Sequence, residues 1–196
     1  DVLDEEVPVI HDMPVDVVLS IFPGTCSAGF EWPEPSATDN CSIVSLGSDI
    51  QTGHVFELGN TTVTYTTEDT AGLVSTAEFT VTVIDDELPV ISNIPDRVLV
   101  NTANNECTAV AEWDAPLADD NCELISFTGT HTSGDVFPSG DTVVSLVAID
   151  ASGNMAEFDF LVTVTDIQIP TIIGLPTDFG AVTNPGICGS LVTWNI

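Results

Sequence analysis

Apolar and polar positions alternate most strictly in two paired stretches. Thr61 to Glu68 alternates with period two, breaks at Asp69-Thr70-Ala71-Gly72, and resumes from Ser75 to Val83. The pattern returns as Thr142 to Ile149, the break Asp150-Ala151-Ser152-Gly153-Asn154, and Glu157 to Val164. Period-two alternation around a short polar, Gly-containing break predicts a β-hairpin. Upstream of the first hairpin, shorter apolar runs predict strands at Pro8–Ile10, Val15–Ile21, Cys26–Trp32, Cys41–Leu46 and His54–Leu58. Turn residues separate them: Phe22-Pro23-Gly24-Thr25, the long segment Pro33 to Asn40, Gly47 to Gly53, and Gly59-Asn60. No segment keeps a helical period for more than a turn. About seven short strands in roughly 80 residues, with a tryptophan placed to enter the core, predict an all-β chain of immunoglobulin-like β-sandwiches.

The pattern is a tandem repeat with a step of 81 residues. Pro8, Pro89 and Pro170 share it, as do Cys26, Cys107 and Cys188, and Trp32, Trp113 and Trp194. Asp39-Asn40-Cys41 recurs as Asp120-Asn121-Cys122 without insertion or deletion between. A fixed period of this kind outranks any local reading. It divides the chain into the end of a preceding module (1–3), two full modules (4–84 and 85–165) and the start of a third (166–196). The expected partners are further copies of the module, with neighbouring chains in a fibre as a second possibility through strand addition by the third copy.

Charge changes the picture. One basic residue, Arg97, faces 31 carboxylates, for a net charge of −30. Nucleic acid is excluded as a partner, because phosphate neutralisation needs Lys and Arg. An anionic membrane surface would repel the chain, and no apolar run is long enough to cross a bilayer. Such self-repulsion calls for cations, from specific calcium sites or from a salty medium. Five cysteines are present; within each full module two lie 15 apart, which suggests bridges Cys26–Cys41 and Cys107–Cys122 in an oxidising compartment, with buried reduced thiols as the alternative. Cys188 would find its partner near position 203.

The motifs occur in fixed order: Pro-x-Ile, Cys-x5-Trp, Ala-x-Asp-Asn-Cys, Val-Phe-x-x-Gly, Thr-x-Val, Asp-x-x-Gly and Phe-x-Val-Thr-Val. Together they resemble the hyalin repeat (HYR) module of extracellular adhesion and matrix proteins. The second copy fits best, through Ala118-Asp119-Asp120-Asn121-Cys122, Val136-Phe137-Pro138-Ser139-Gly140 and Ile149-Asp150-Ala151-Ser152-Gly153-Asn154. The resemblance covers both full modules and the start of the third. It implies an immunoglobulin-like fold, an extracellular or cell-surface location, a role in adhesion or surface architecture, and no catalysis. Two cysteines that many members carry are missing; those places hold Met13 or Ile94, and residues such as Thr76 or Ala77.

Candidate chemistry gathers at the module junctions. The linker opening each module, its last hairpin turn and the loop after its tryptophan are expected at one pole. The first pole would then hold Asp4, Glu5, Glu6, Asp39 and Asp69, and the second Asp85, Asp86, Glu87, Asp119, Asp120 and Asp150, with Asp166 opening a third where Ile167 and Gln168 replace two acids. Crowded carboxylates stay ionised together only around a cation, and calcium, a hard ion taking six to eight oxygens, suits them. The arrangement is similar in architecture to cadherin junctions. The competing reading makes these acids solvated loop residues and Asx-turn formers. His11, His54 and His131 form no catalytic set, and Trp32 and Trp113 are read as core. Asn60-Thr61-Thr62 is a glycosylation sequon. The expected function is a calcium-stiffened stalk or fibre shaft; a glycan- or protein-binding module, or a non-catalytic spacer of a secreted enzyme, is the alternative.

Overall fold

A computed structural model of the chain describes residues 3–171, 173 and 185–186. The reading of Cys188 lies outside the described residues. Sixteen strands and no helix are present among them. The first unit contains β1 (Val9–His11), β2 (Val17–Ser20), β3 (Ser27–Gly29), β4 (Ser36–Thr38), β5 (Ile43–Ser48), β6 (Val55–Glu57), β7 (Gly59–Asp69) and β8 (Val74–Ile84). The second repeats them as β9 (Val90–Ser92), β10 (Arg97–Asn101), β11 (Thr108–Val110), β12 (Leu117–Asp119), β13 (Leu124–Gly129), β14 (Val136–Pro138), β15 (Gly140–Asp150) and β16 (Met155–Thr165).

In each unit the long hairpin is the backbone of a four-stranded sheet, ordered β2-β8-β7-β5 and β10-β16-β15-β13. The early strand runs parallel to the last one, Val17 opposite Val81 and Arg97 opposite Leu161. Two-stranded ladders β1-β4 and β3-β6, and their counterparts β9-β12 and β11-β14, complete each unit. The segment Pro33–Asn40, expected to be loop, contains β4. Its three-residue ladder with β1 is too short to show a period, and the prolines around it read as turn signals.

The hairpin alternation decides what is buried. On β7 the inward row is Val63, Tyr65, Thr67 and Asp69; on β15 it is Val144, Leu146, Ala148 and Asp150. Successive residues point to opposite faces, so the row that fills the core delivers an aspartate to the end of the hairpin. Gly72 and Gly153 take positive φ (83° and 91°) and let the turn close behind these aspartates. Trp32 meets Phe79 edge-on at 5.3 Å, and Trp113 meets Phe160 at 5.4 Å, geometries that aromatic quadrupoles favour.

The two cores differ at several positions, one of which carries a polar chain. In the first unit the Trp32 indole N–H donates to the Tyr65 hydroxyl (2.8 Å), which donates to Glu34 Oε2 (2.8 Å). The second unit holds Leu146 and Ala115 at the matching places. Tyr65→Phe will therefore cost about 1–2 kcal/mol, the penalty for leaving a buried indole donor without a partner. Burial pushes the Tyr65 hydroxyl above its ordinary value of 10. A raised folded value means that this contribution is whole below pH 10 and is lost as pH climbs through the folded value. Thermal melts across pH 9 to 11 should show the first unit weakening, and Tyr65→Phe should abolish that phenol-dependent part of the slope.

Candidate metal centre and module junction

Each unit has two poles, because β7 and β15 run the full length of their units. Eleven residues at about 3.3 Å each separate the poles by roughly 30 Å. Cys26 lies at the start of β7, where its carbonyl accepts from Leu58 N at 3.1 Å. Cys41 lies at the other end, beside the strand in which Ile43 is paired with Asp69. A disulfide needs Cα atoms within about 7 Å, so the expected pairs Cys26–Cys41 and Cys107–Cys122 do not form. The bridge instead joins Cys26 to Cys122 across the junction, with Cα atoms 5.1 Å apart and 96 residues between them. Cys41 and Cys107 are exposed thiols.

Three further contacts tie the linker and the second unit to the first. Asp86 Oδ2 accepts from the Ser20 hydroxyl (2.7 Å) and Glu87 Oε2 accepts from Gly24 N (2.8 Å). Asn121 Nδ2 donates to the Thr25 carbonyl (2.8 Å). Asp86 and Glu87, expected beside the other acids, are thus turned back onto the first unit. The next linker repeats the contact without a charge: Gln168 Oε1 accepts from Asn105 N at 3.0 Å, and its Nε2 donates to the Ala103 carbonyl at 2.6 Å. The work at this position is to accept a backbone N–H, which explains why an amide replaces the acid there.

Some of the remaining acids come together at the proximal pole of each unit. Asp4, Asp39 and Cys41 offer ligand atoms within 4.8 Å of one another, as do Asp85, Asp120 and Cys122. Asp69 and Asp150, 1% and 0% exposed, close the same poles from the hairpin turn. Thr70 N and Ala151 N donate to the carbonyls of Ser42 and Glu123, tying each turn to the segment that follows the clustered cysteine. Glu5 and Glu6 stay exposed, as does Asp119 at the end of β12. Asp166 is exposed and accepts from Gln168 N (2.9 Å).

One oxygen of each clustered acid shapes local backbone. Asp4 and Asp85 accept from the N–H two residues on, Glu6 and Glu87. Asp39 and Asp120 do the same for Cys41 and Cys122. Asp69 Oδ1 accepts from Ala71 N (2.8 Å) and Leu73 N (2.9 Å). The Asx-turn reading therefore accounts for half of each carboxylate. It leaves Asp4 Oδ2, Asp39 Oδ1, Asp69 Oδ2 and Asp120 Oδ1 buried with no partner. An unpaired buried carboxylate oxygen is costly, which makes these four oxygens candidate cation ligands.

The two poles are not equivalent. In the second, Asn154 Nδ2 donates to Asp150 Oδ2 (2.8 Å) and to the Asp85 carbonyl (3.1 Å), and the Ser152 hydroxyl donates to Asp85 Oδ2 (3.3 Å). The first has Leu73 and Ala71 at those places. Exchanging two donors for apolar side chains leaves three oxygens unpaired at the first pole and one at the second. The signal was present in the sequence, as the 73/154 and 71/152 differences, but only the hydrogen bonds give it meaning.

The acids act on Cys41. The Asp4 carboxylate beside it, then desolvation, then the charges of Asp39 and Asp69, push the thiol up to about 11. The neighbouring thiol, helped by the N–H of Glu6, holds Asp4 below the ordinary carboxylate value. With the thiol reduced, Asp4→Asn should speed alkylation of Cys41 by iodoacetamide at pH 8 at least tenfold, because only the thiolate reacts. Equal rates in the two proteins would show that Asp4 does not hold the proton.

The HYR domain model matches residues 3–83 and 84–164. Hyalin of Lytechinus variegatus is 34% identical over 151 residues, covering 74% of this chain and 28% of that protein. Hyalin of Strongylocentrotus purpuratus is 34% identical over 184 residues, covering 87% of this chain and 15% of that protein. The sushi, von Willebrand factor type A, EGF and pentraxin domain-containing protein 1 of Mus musculus is 33% identical over 166 residues, 82% of this chain and 4% of its own length. The chain thus spans less than a third of each of these relatives. Human protocadherin-24 EC1-2 aligns in structure over 83% of this chain and all of that one, at 17% identity and a TM-score of 0.33. Among the described residues no helix is long and apolar enough to cross a membrane. The chain belongs to the HYR domain family, as a tandem pair of its extracellular or cell-surface repeats.

Proposed function

We propose that the chain is a segment of a structural, adhesive array whose junctions are stiffened by calcium. The single observation that carries this reading is the set of buried, partnerless carboxylate oxygens where each linker meets its module. Asp4, Asp39 and Asp69 would hold the ion at the first pole, and Asp85, Asp120 and Asp150 at the second. The carboxylates of each set are hard oxygen donors, which suit calcium; the cysteine sulfur beside each set, of Cys41 or Cys122, is left outside the proposed ligand shell. The ion would supply positive charge between groups that otherwise repel, and so fix the linker against the hairpin turn. The first pole, with three unpaired oxygens, would bind more tightly than the second, where Asn154 and Ser152 already satisfy the acids.

Stiffness is a property of the junction, and here it has two sources. The bridge and the linker hydrogen bonds restrict rotation between the units, and the cation would lock the linker itself. Small-angle scattering of the chain with calcium and with chelator, at equal ionic strength, tests the second source. The expected result is a longer and narrower distribution of dimensions with calcium. Identical distributions, with the acids bound only by diffuse sodium, would leave a salt-adapted acidic surface as the reading.

A further inference from the structure

We propose that Cys26–Cys122 is one rung of a repeating pairing rule, and that Cys41 and Cys107 are the open halves of the adjoining rungs, each bonding to a cysteine of another HYR module. In the rung that is closed, the distal-pole cysteine of one unit bonds to the proximal-pole cysteine of the next. By the 81-residue register Cys107 is the counterpart of Cys26, and Cys41 that of Cys122. The same two residue positions are therefore already seen bonded in this chain, and Cys41 and Cys107, the other copies among the described residues, are exposed.

The surroundings of the open halves match those of the closed rung. The Cys107 carbonyl accepts from Ser139 N at 2.9 Å as that of Cys26 accepts from Leu58 N at 3.1 Å. The linker after the second unit is fastened beside Cys107 through Gln168 and Asn105, just as Glu87 and Gly24 fasten the linker beside Cys26. At the other end, Cys41 N donates to Asp39 Oδ2 (2.8 Å) as Cys122 N donates to Asp120 Oδ2 (2.9 Å). Both halves are held in the backbone geometry of a bonded partner. The chemistry is two successive thiol–disulfide exchanges with a low-molecular-weight disulfide oxidant. The first thiolate displaces one thiol of the oxidant to give a mixed disulfide; the second displaces the other. Each rung thus forms one S–S bond and releases two reduced thiols and no other product.

The rule stands apart from the cation reading, since a bridged array could lack calcium and a calcium array could lack bridges. It is tested on the full-length protein purified without reductant, its free thiols blocked with N-ethylmaleimide, digested with pepsin at low pH and mapped by mass spectrometry. The expected result is Cys26 linked to Cys122, with Cys107 linked to the proximal-pole cysteine of another HYR module and Cys41 to a distal-pole one. A Cys41–Cys107 linkage also counts for the rule: these residues lie at opposite ends of the pair, so it can only join two copies. Recovery of Cys41 or Cys107 as the maleimide adduct overturns the proposal. So does a linkage between two distal-pole cysteines, or the pairs Cys26–Cys41 and Cys107–Cys122. Cys107→Ser should release one maleimide-reactive proximal-pole thiol and leave Cys26–Cys122 intact; the proposal fails if no such thiol is released.

Discussion

Replacing both Cys26 and Cys122 by serine will lower the melting temperature of the chain by on the order of 10 °C and separate the unfolding of its two units. The bridge closes a loop with 96 residues of separation, and the loop-entropy account gives such a closure about 4–5 kcal/mol. For a chain of this size each kcal/mol moves the melting temperature by roughly 2–4 °C. The loop contains most of the first unit, the linker and the opening strands of the second. Breaking it frees the denatured state of both and removes the covalent tie between their poles. Cys122 also packs against the first unit's core, so contact is lost along with the bond. Differential scanning calorimetry of the double serine variant should resolve two transitions, the lower well below that of the bridged chain. Cys41→Ser, which leaves the bridge in place, is the control. A double variant that melts like the bridged chain would show that the staple carries no stability.

The second large effect is calcium dependence. A ligand present at a hundred times its dissociation constant stabilises the folded state by about 2.7 kcal/mol, which for one unit corresponds to a shift of roughly 10–20 °C. Calcium should raise the melting temperature of the first unit and chelation should reverse it, while sodium chloride at matched ionic strength should do much less. Asp69→Asn removes a buried charge at the cluster and keeps the shape of the turn acceptor. It should abolish the first unit's calcium increment while leaving the chelated protein as stable as before, or more so. Introducing Leu73→Asn, the residue of the second unit, should weaken calcium binding at the first pole by supplying the missing amide donor. Unchanged melts of all these proteins with and without calcium would remove the cation from the account.

These effects trace back unequally to the chain itself. The hairpins, the 81-residue step and the all-β architecture follow from local rules: a period of two, turn residues at its breaks, and a repeat without gaps. The inward row of β7 even points to Asp69, because alternation continues through the last residue of the strand. The grouping of Asp4 with Asp39 was readable as loops sharing a pole. Spacing misled for the cysteines. Fifteen residues is a short distance along the chain, yet Cys26 and Cys41 sit at opposite ends of a strand about 30 Å long. Ninety-six residues is a long distance along the chain, yet the linker returns Cys122 to within 5.1 Å of Cys26.

Asp86 and Glu87 show the same limit. As letters they are more acids beside an acid, but their direction depends on where Ser20 and Gly24 stand. The sequence alone determined which residues pair along a strand and which repeat, because those relations are local or periodic. Tertiary structure decided which pole each residue reaches, which carboxylate oxygens keep a partner and which cysteines meet, because each depends on the path of the whole sandwich between one end and the other.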